Sequence, residues 1–214
     1  MKNPQHLLII IMIITNFYML STSRLRALVR SAGFAGFVLA LFPFVAHAGY
    51  FSFHTIILSG ISVFIKGIAI PLLLLRALRG VNDEREIAPF IGYTQSIAFC
   101  IGITAISFWI GRIIPASAAF PSEGMLALAI CMGLCGLFLI ITRKQAITQV
   151  IGYLVLENGI YVFGLSLPAA LSLLVEMGVL LDMLVGVFVM GIVIYRINDE
   201  FDSISTQSLQ ALKQ

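Results

Sequence analysis

The sequence predicts an all-α fold: a polytopic bundle of about seven transmembrane helices, with the N-terminus outside and the C-terminus in the cytoplasm. Three observations predict it. Of 214 residues, 60% are hydrophobic and 11% charged, with a mean hydropathy of +1.05, against roughly one-quarter charged in soluble domains. Apolar runs of about 17 residues or more recur along the chain, and a bilayer core about 30 Å thick needs ~20 helical residues at 1.5 Å rise. Basic residues, which accumulate in cytoplasmic loops, fall almost entirely in every second connection between these runs.

The first run, His6 to Thr22, follows Lys2 in the manner of a secretion signal. No small-residue cleavage site separates it from the charged stretch Arg24 to Arg30, so it reads as a retained helix. The second and third runs, Ala27 to Ala48 and Phe51 to Leu78, contain Pro43 and Pro71, which should kink them. Pro89 opens the fourth, Ile87 to Gly111, and Pro115 and Pro121 bracket the loop before the fifth, Ser122 to Ile141. The sixth, Thr148 to Leu167, is divided by Pro168 from the seventh, Ala169 to Ile197. Residues 1–197 thus form one transmembrane domain and residues 198–214 a polar cytoplasmic tail. That tail is either a plain solvated end or a segment in which Phe201, Ile204, Leu209 and Leu212 dock a partner.

Orientation follows from the thirteen Lys and Arg residues. Ten follow spans one, three, five and seven: Arg24, Arg26 and Arg30; Arg76, Arg79 and Arg85; Arg143 and Lys144; Arg196 and Lys213. Lys2 and Arg112 lie on the other side, and Lys66 is inside a span. A net charge of +3, dispersed among helix ends, gives no footprint for nucleic acid. Three cysteines without a CxxC or CxxCH pattern leave no disulfide framework, zinc knuckle, iron–sulfur cluster or c-type haem attachment. With no nucleophile–base constellation and no phosphate loop, the chain is expected to have no active site and no cofactor of its own.

Charge inside a span costs roughly 2.5 to 3.5 kcal/mol on insertion scales, so intramembrane ionisable residues are the candidate functional groups. Lys66, Glu157 and Asp182 lie about midway along spans three, six and seven. Acid and base groups at one depth are what lateral proton transfer through a bilayer requires. Lys66 and Asp182 read equally as members of static ion pairs. Glu176 lies six residues before Asp182, about 9 Å along and about 120° around the helix, near the outer mouth. Glu157 is the strongest candidate, flanked by Asn158, a polar group, and Gly159, a point of close helix approach.

Other features take bland readings. His47 and His54 flank a short outer turn and suit interfacial hydrogen bonding better than haem ligation. Cys131 and Cys135 share a helix face as small packing residues. Ala32xxxGly36, Ala98xxxGly102 and Ala129xxxGly133 read as helix-packing surfaces. The polar run Tyr93 to Ser96 reads as helix-to-helix hydrogen bonding, with held water as the alternative.

The stretch TRKQAITQVIGYLVLENGI from Thr142 to Ile160 resembles component E of hydrogenase 4, as do LVEMGVLLDMLVGVFVMGIV from Leu174 to Val193 and the tail ending in LQALK. The resemblance is most specific over residues 140–214; earlier it rests on the span pattern and Lys66. Over its last three helices that family is similar to the K subunit of complex I and the C subunit of multi-subunit cation/proton antiporters. In those relatives a basic loop leads to a helix with a buried Glu, which matches Glu157. The K subunit's second buried Glu is not reproduced, since Val189 stands near that point and Asp182 and Glu176 occupy the helix instead.

The resemblance implies a membrane-arm subunit of a group 4 nickel–iron hydrogenase complex, such as a formate hydrogenlyase, in a prokaryotic cytoplasmic membrane. Its partners would be an antiporter-like subunit, a quinone-site-like subunit, the peripheral hydrogenase arm and the lipid bilayer, with the nickel–iron centre and iron–sulfur clusters in partner subunits. Its role would be in translocating protons or sodium ions, through Glu157, Lys66, Asp182 and Glu176. Two other functions compete. A subunit of a redox-independent antiporter would share the Glu157 helix but is expected to have about three spans, and a purely structural subunit would use its buried charges as static glue.

Overall fold

The computed structural model describes residues 4–43, 60, 63–78, 89–114 and 123–166. Among the described residues every element is a helix. The predicted seventh span and tail lie outside them, as do Asp182, Glu176, Val189, His47, His54, Pro115, Pro121 and Pro168.

Helix α1 (Pro4–Ser21), α2 (Leu25–Leu39), a π-helix (Val63–Ala69) continuing into α3 (Ile70–Ala77), α4 (Tyr93–Ile113), α5 (Glu123–Thr142) and α6 (Ala146–Leu165) follow in order. Four of them, α1, α4, α5 and α6, are long and apolar enough to cross a membrane. Over an apolar stretch of 18 residues in each, 56% of α5 and 61% of α6 are buried inside the protein but only 22% of α4, so α5 and α6 form the centre and α4 lies outside.

The central pair is held by glycine. A Cβ on Gly136 would lie 2.4 Å from the Leu156 nitrogen and 2.6 Å from the Gly152 carbonyl oxygen. One on Gly159 would lie 2.7 Å from the Gly133 nitrogen and 2.9 Å from the Ala129 oxygen. Real Cβ atoms do not approach backbone so closely, so only glycine lets these two backbones touch along their length. The predicted packing role of Ala129xxxGly133 and of Gly159 is seen here. Ala32xxxGly36 serves likewise: a Cβ on Gly36 would sit 2.9 Å from Lys66 Cβ, and one on Gly33 would sit 2.9 Å from Pro71 Cγ.

Ala98xxxGly102 differs from expectation. Both residues are exposed, and nothing lies within 4 Å of a Cβ built on Gly102. Helix α4 turns inward its other face, Ser96, Cys100, Ser107 and Gly111. These are also small, and they let Cys100 Sγ approach Cys135 Sγ to 3.9 Å and Thr104 Oγ1 approach Cys131 Sγ to 3.5 Å. The three cysteines are free and buried, filling the α4–α5 seam as small packing residues.

Pro43 and Pro71 act where the sequence places them. The α-helical part of the second span stops at Leu39, four residues before Pro43, whose ring collides with the carbonyl at that distance in a continuous helix. A turn at residues 40–41 absorbs the break before helical geometry resumes at Phe42. Pro71 follows the switch from π-helix to α-helix; it brings no N–H, so the turn before it cannot close as regular α-helix. Pro89 does not open the fourth helix. The Phe90 N–H is taken by the Thr142 carbonyl at 3.0 Å, which ties this segment to the end of α5 and delays the start to Tyr93, after the extended Gly92.

Candidate functional site

Glu157 stands about 17 Å along α6 from Ala146 at 1.5 Å per residue, near the helix midpoint. It is 1% exposed, on the face that also carries Tyr153 and Tyr161 one turn to either side. Lys66, 6% exposed, projects from the π-helix and its Nζ donates to Glu157 Oε1. The ammonium also lies 5.6 Å from the Tyr161 ring centroid, within range of a cation–π attraction. Gly36 makes this reach available by letting α2 accept the Lys66 backbone at van der Waals contact. Two candidates chosen independently for their depth are therefore partners, 91 residues apart in sequence.

Desolvating two charges costs several kcal/mol each, and their attraction repays this only with good geometry, so a buried pair is poor evidence for stability as such. Its chemistry is more informative. A proton passing from Nζ to Oε1 converts the ion pair to a neutral amine–acid pair with no change in net charge. Either form suits the apolar surroundings better than one isolated charge.

Asn158 adjoins Glu157, and further buried polar groups lie elsewhere in the bundle. Asn158, 4% exposed, places its Oδ1 in the protein interior with no hydrogen-bond donor among the described residues. Asn16 of α1, 1% exposed, is in the same state at both side-chain polar atoms, as is Thr148 Oγ1. Buried polar groups of this kind are commonly satisfied by internal water. Asn16 is not among the candidates the sequence offers; its signal is an amide set well inside an apolar run.

Arg143, which the sequence offers only as a loop charge, is a structural residue. It is 1% exposed, its guanidinium donates to the Leu20 carbonyl at 2.8 Å and stacks 4.5 Å from the Tyr93 ring centroid. Its own carbonyl accepts from Gln149 Nε2 at 2.9 Å. Lys144, by contrast, lies over the exposed Phe90 ring at 4.7 Å. In the Tyr93 to Ser96 run, Thr94 and Gln95 face outward, Ser96 bonds back to the Gly92 carbonyl beside its own helix, and the Tyr93 ring lies against the Arg143 guanidinium in a cation–π contact, which differs from the helix-to-helix hydrogen bonding expected of the run. Among the described residues no three His, Cys, Asp or Glu side chains converge as a metal site.

No family model matches the chain, and no solved structure matches it. It is 29% identical over 191 residues to Rv0085, an uncharacterized protein of Mycobacterium tuberculosis. The alignment covers 88% of this chain and 86% of that protein, so the similarity runs through most of both.

Proposed function

We propose that this chain is a multi-pass subunit of the membrane arm of a hydrogenase complex related to complex I, in a prokaryotic cytoplasmic membrane. Its Lys66–Glu157 pair would be a proton-carrying station. The observation that carries this reading is the burial of a lysine and a glutamate, joined to each other, at the middle of an apolar helix. The resemblance of residues 140–214 to hydrogenase 4 component E includes Glu157 itself. The proposed topology keeps seven spans, N-terminus outside and C-terminus in the cytoplasm, on the ten-to-two division of loop charges. Asp182 and Glu176 would continue the path in the seventh span, and the redox centres would belong to partner subunits.

Glu157→Gln tests it. Unlike an apolar replacement, the amide keeps size and an Oε1 that can still accept from Lys66 Nζ, but it cannot ionise, so the complex should assemble while hydrogen-linked proton movement in membranes falls substantially; Glu157→Asp should be intermediate. A Gln variant with full coupling removes Glu157 from the mechanism. Co-purification that brings down a hydrogenase large subunit supports the assignment to that complex, and its absence argues against it. The second reading, static glue, is favoured by the same pair's position, because it ties the π-helix to α6. It forecasts damage to assembly before any damage to transport.

A further inference from the structure

At the end of the bundle away from Arg143, helices α1, α4 and α5 enclose a cleft of about 360 Å³. Its walls grade from charged to apolar in one direction. On α1, His6 stands at the end and Ile9, Ile10 and Ile13 continue inward for about 10 Å; on α4, Arg112 stands at the end and Phe108 one turn inward. On α5, Glu123 begins the helix and Ala127 lies one turn in. Two glycines shape the floor. A Cβ on Gly111 would lie 3.1 Å from the Glu123 carbonyl oxygen, and one on Gly124 would lie 3.1 Å from Ile9 Cδ1, so larger residues would change how these helices meet.

The rim charges and the wall suit one class of molecule. Arg112 and Glu123 are both exposed and of opposite sign, at the level where membrane-spanning helices leave the hydrocarbon, and Trp109, 64% exposed beside Arg112, is the kind of residue that populates that level. Ile10 is 53% exposed, so the apolar wall opens sideways and not toward water at the end alone. The volume is at the low end of ligand cavities, roughly 300 to 1,000 Å³, enough for part of one acyl chain.

We infer that this cleft is a phospholipid site selective for an amine-bearing zwitterionic headgroup. Arg112 receives the phosphate, Glu123 receives the primary ammonium, and an acyl chain lies along Ile10, Ile13 and Phe108. An anionic headgroup without the ammonium satisfies Arg112 but repels Glu123, and a trimethylated ammonium has no N–H to donate to the carboxylate. This rests on the membrane-spanning part of the function proposed above and not on hydrogenase membership or proton transport.

The experiment is native mass spectrometry of the full chain, purified in delipidating detergent and offered equal amounts of palmitoyl-oleoyl phosphatidylethanolamine, phosphatidylglycerol and phosphatidylcholine. One phosphatidylethanolamine should be retained in preference to each of the others by about fivefold, the equivalent of the ~1 kcal/mol carried by one charge near a membrane surface. Arg112→Gln should lower that retention about fivefold, whereas Glu123→Gln should abolish the preference over phosphatidylglycerol while total lipid retention persists. Ile10→Trp, at an exposed position on the wall, should reduce retention of all three. Equal retention of the three lipids by the unmodified chain, detergent alone in the site, or variants that behave as it does would each overturn the inference. Alkaline carbonate extraction of membranes separates the two levels: a chain that is released overturns the spanning reading as well, and one that stays embedded without headgroup preference overturns only the lipid site.

Discussion

Arg143 donates through its guanidinium to the carbonyl of Leu20, 2.8 Å away and 123 residues earlier in the chain. Leu20 sits in the last turn of α1, where carbonyls lack helical partners and the dipole favours a cation. The loop between α5 and α6 thereby fastens the far end of α1, while Tyr93 of α4 covers the guanidinium face. One residue thus joins α1, α4 and the central pair at the end where cytoplasmic charge is expected.

Arg143→Met, which keeps the volume of the stem but no donor, should destabilise the purified protein by about 1.5–3 kcal/mol, the range for hydrogen bonds to charged groups. Arg143→Lys keeps charge without the planar fork and should fall between the two. Denaturant or thermal unfolding in detergent reads the order, and a Lys variant as stable as the Arg form would show that charge alone matters.

A double-mutant cycle on Lys66 and Glu157 separates structure from transport. Lys66→Met or Glu157→Leu alone leaves one buried charge and should cost about 3–5 kcal/mol or block accumulation of the protein, whereas the double variant should recover most of that loss. If the pair carries protons, the double variant regains yield but not proton-linked activity. Recovery of both would identify the pair as glue.

Gly136→Ala should be among the most damaging single-methyl changes in this protein, since the new carbon would lie 2.4 Å from backbone nitrogen of α6. Overpacking of this kind costs about 1–3 kcal/mol. Gly102→Ala adds the same methyl where nothing lies within 4 Å and should change stability by no more than about 1 kcal/mol. Comparable melting temperatures for the two variants would contradict the glycine seam between α5 and α6.

Cys100, Cys131 and Cys135 are each 0% exposed. A membrane-permeant maleimide should leave all three unmodified in the folded protein and label them after denaturation. Rapid labelling of Cys100 in the native state would mean that α4 does not pack on α5 as described.

What the amino-acid sequence determined by itself was the set of apolar lengths. Helices α1, α5 and α6 lie within about two residues of the runs read from hydropathy, because the thickness of a bilayer imposes length and apolarity on each span independently of the others. Breaks at Pro43 and Pro71 were legible for the same reason, as they follow from one ring and its immediate neighbours. Burial of Lys66 and Glu157 was legible too, since a charge inside an apolar run has nowhere polar to go except the protein interior.

Tertiary structure alone decided the partnerships. In spans that are apolar all round, no periodic stripe says which face turns inward, and so α4 buries Ser96, Cys100, Ser107 and Gly111 in place of Ala98xxxGly102. Neither local spacing nor charge count pairs Lys66 with Glu157, or sends Arg143 inward while Lys144 beside it lies over an exposed ring. These choices depend on how close two backbones can come. That closeness is set at Gly36, Gly136, Gly152 and Gly159 by what stands opposite each glycine once the helices have packed.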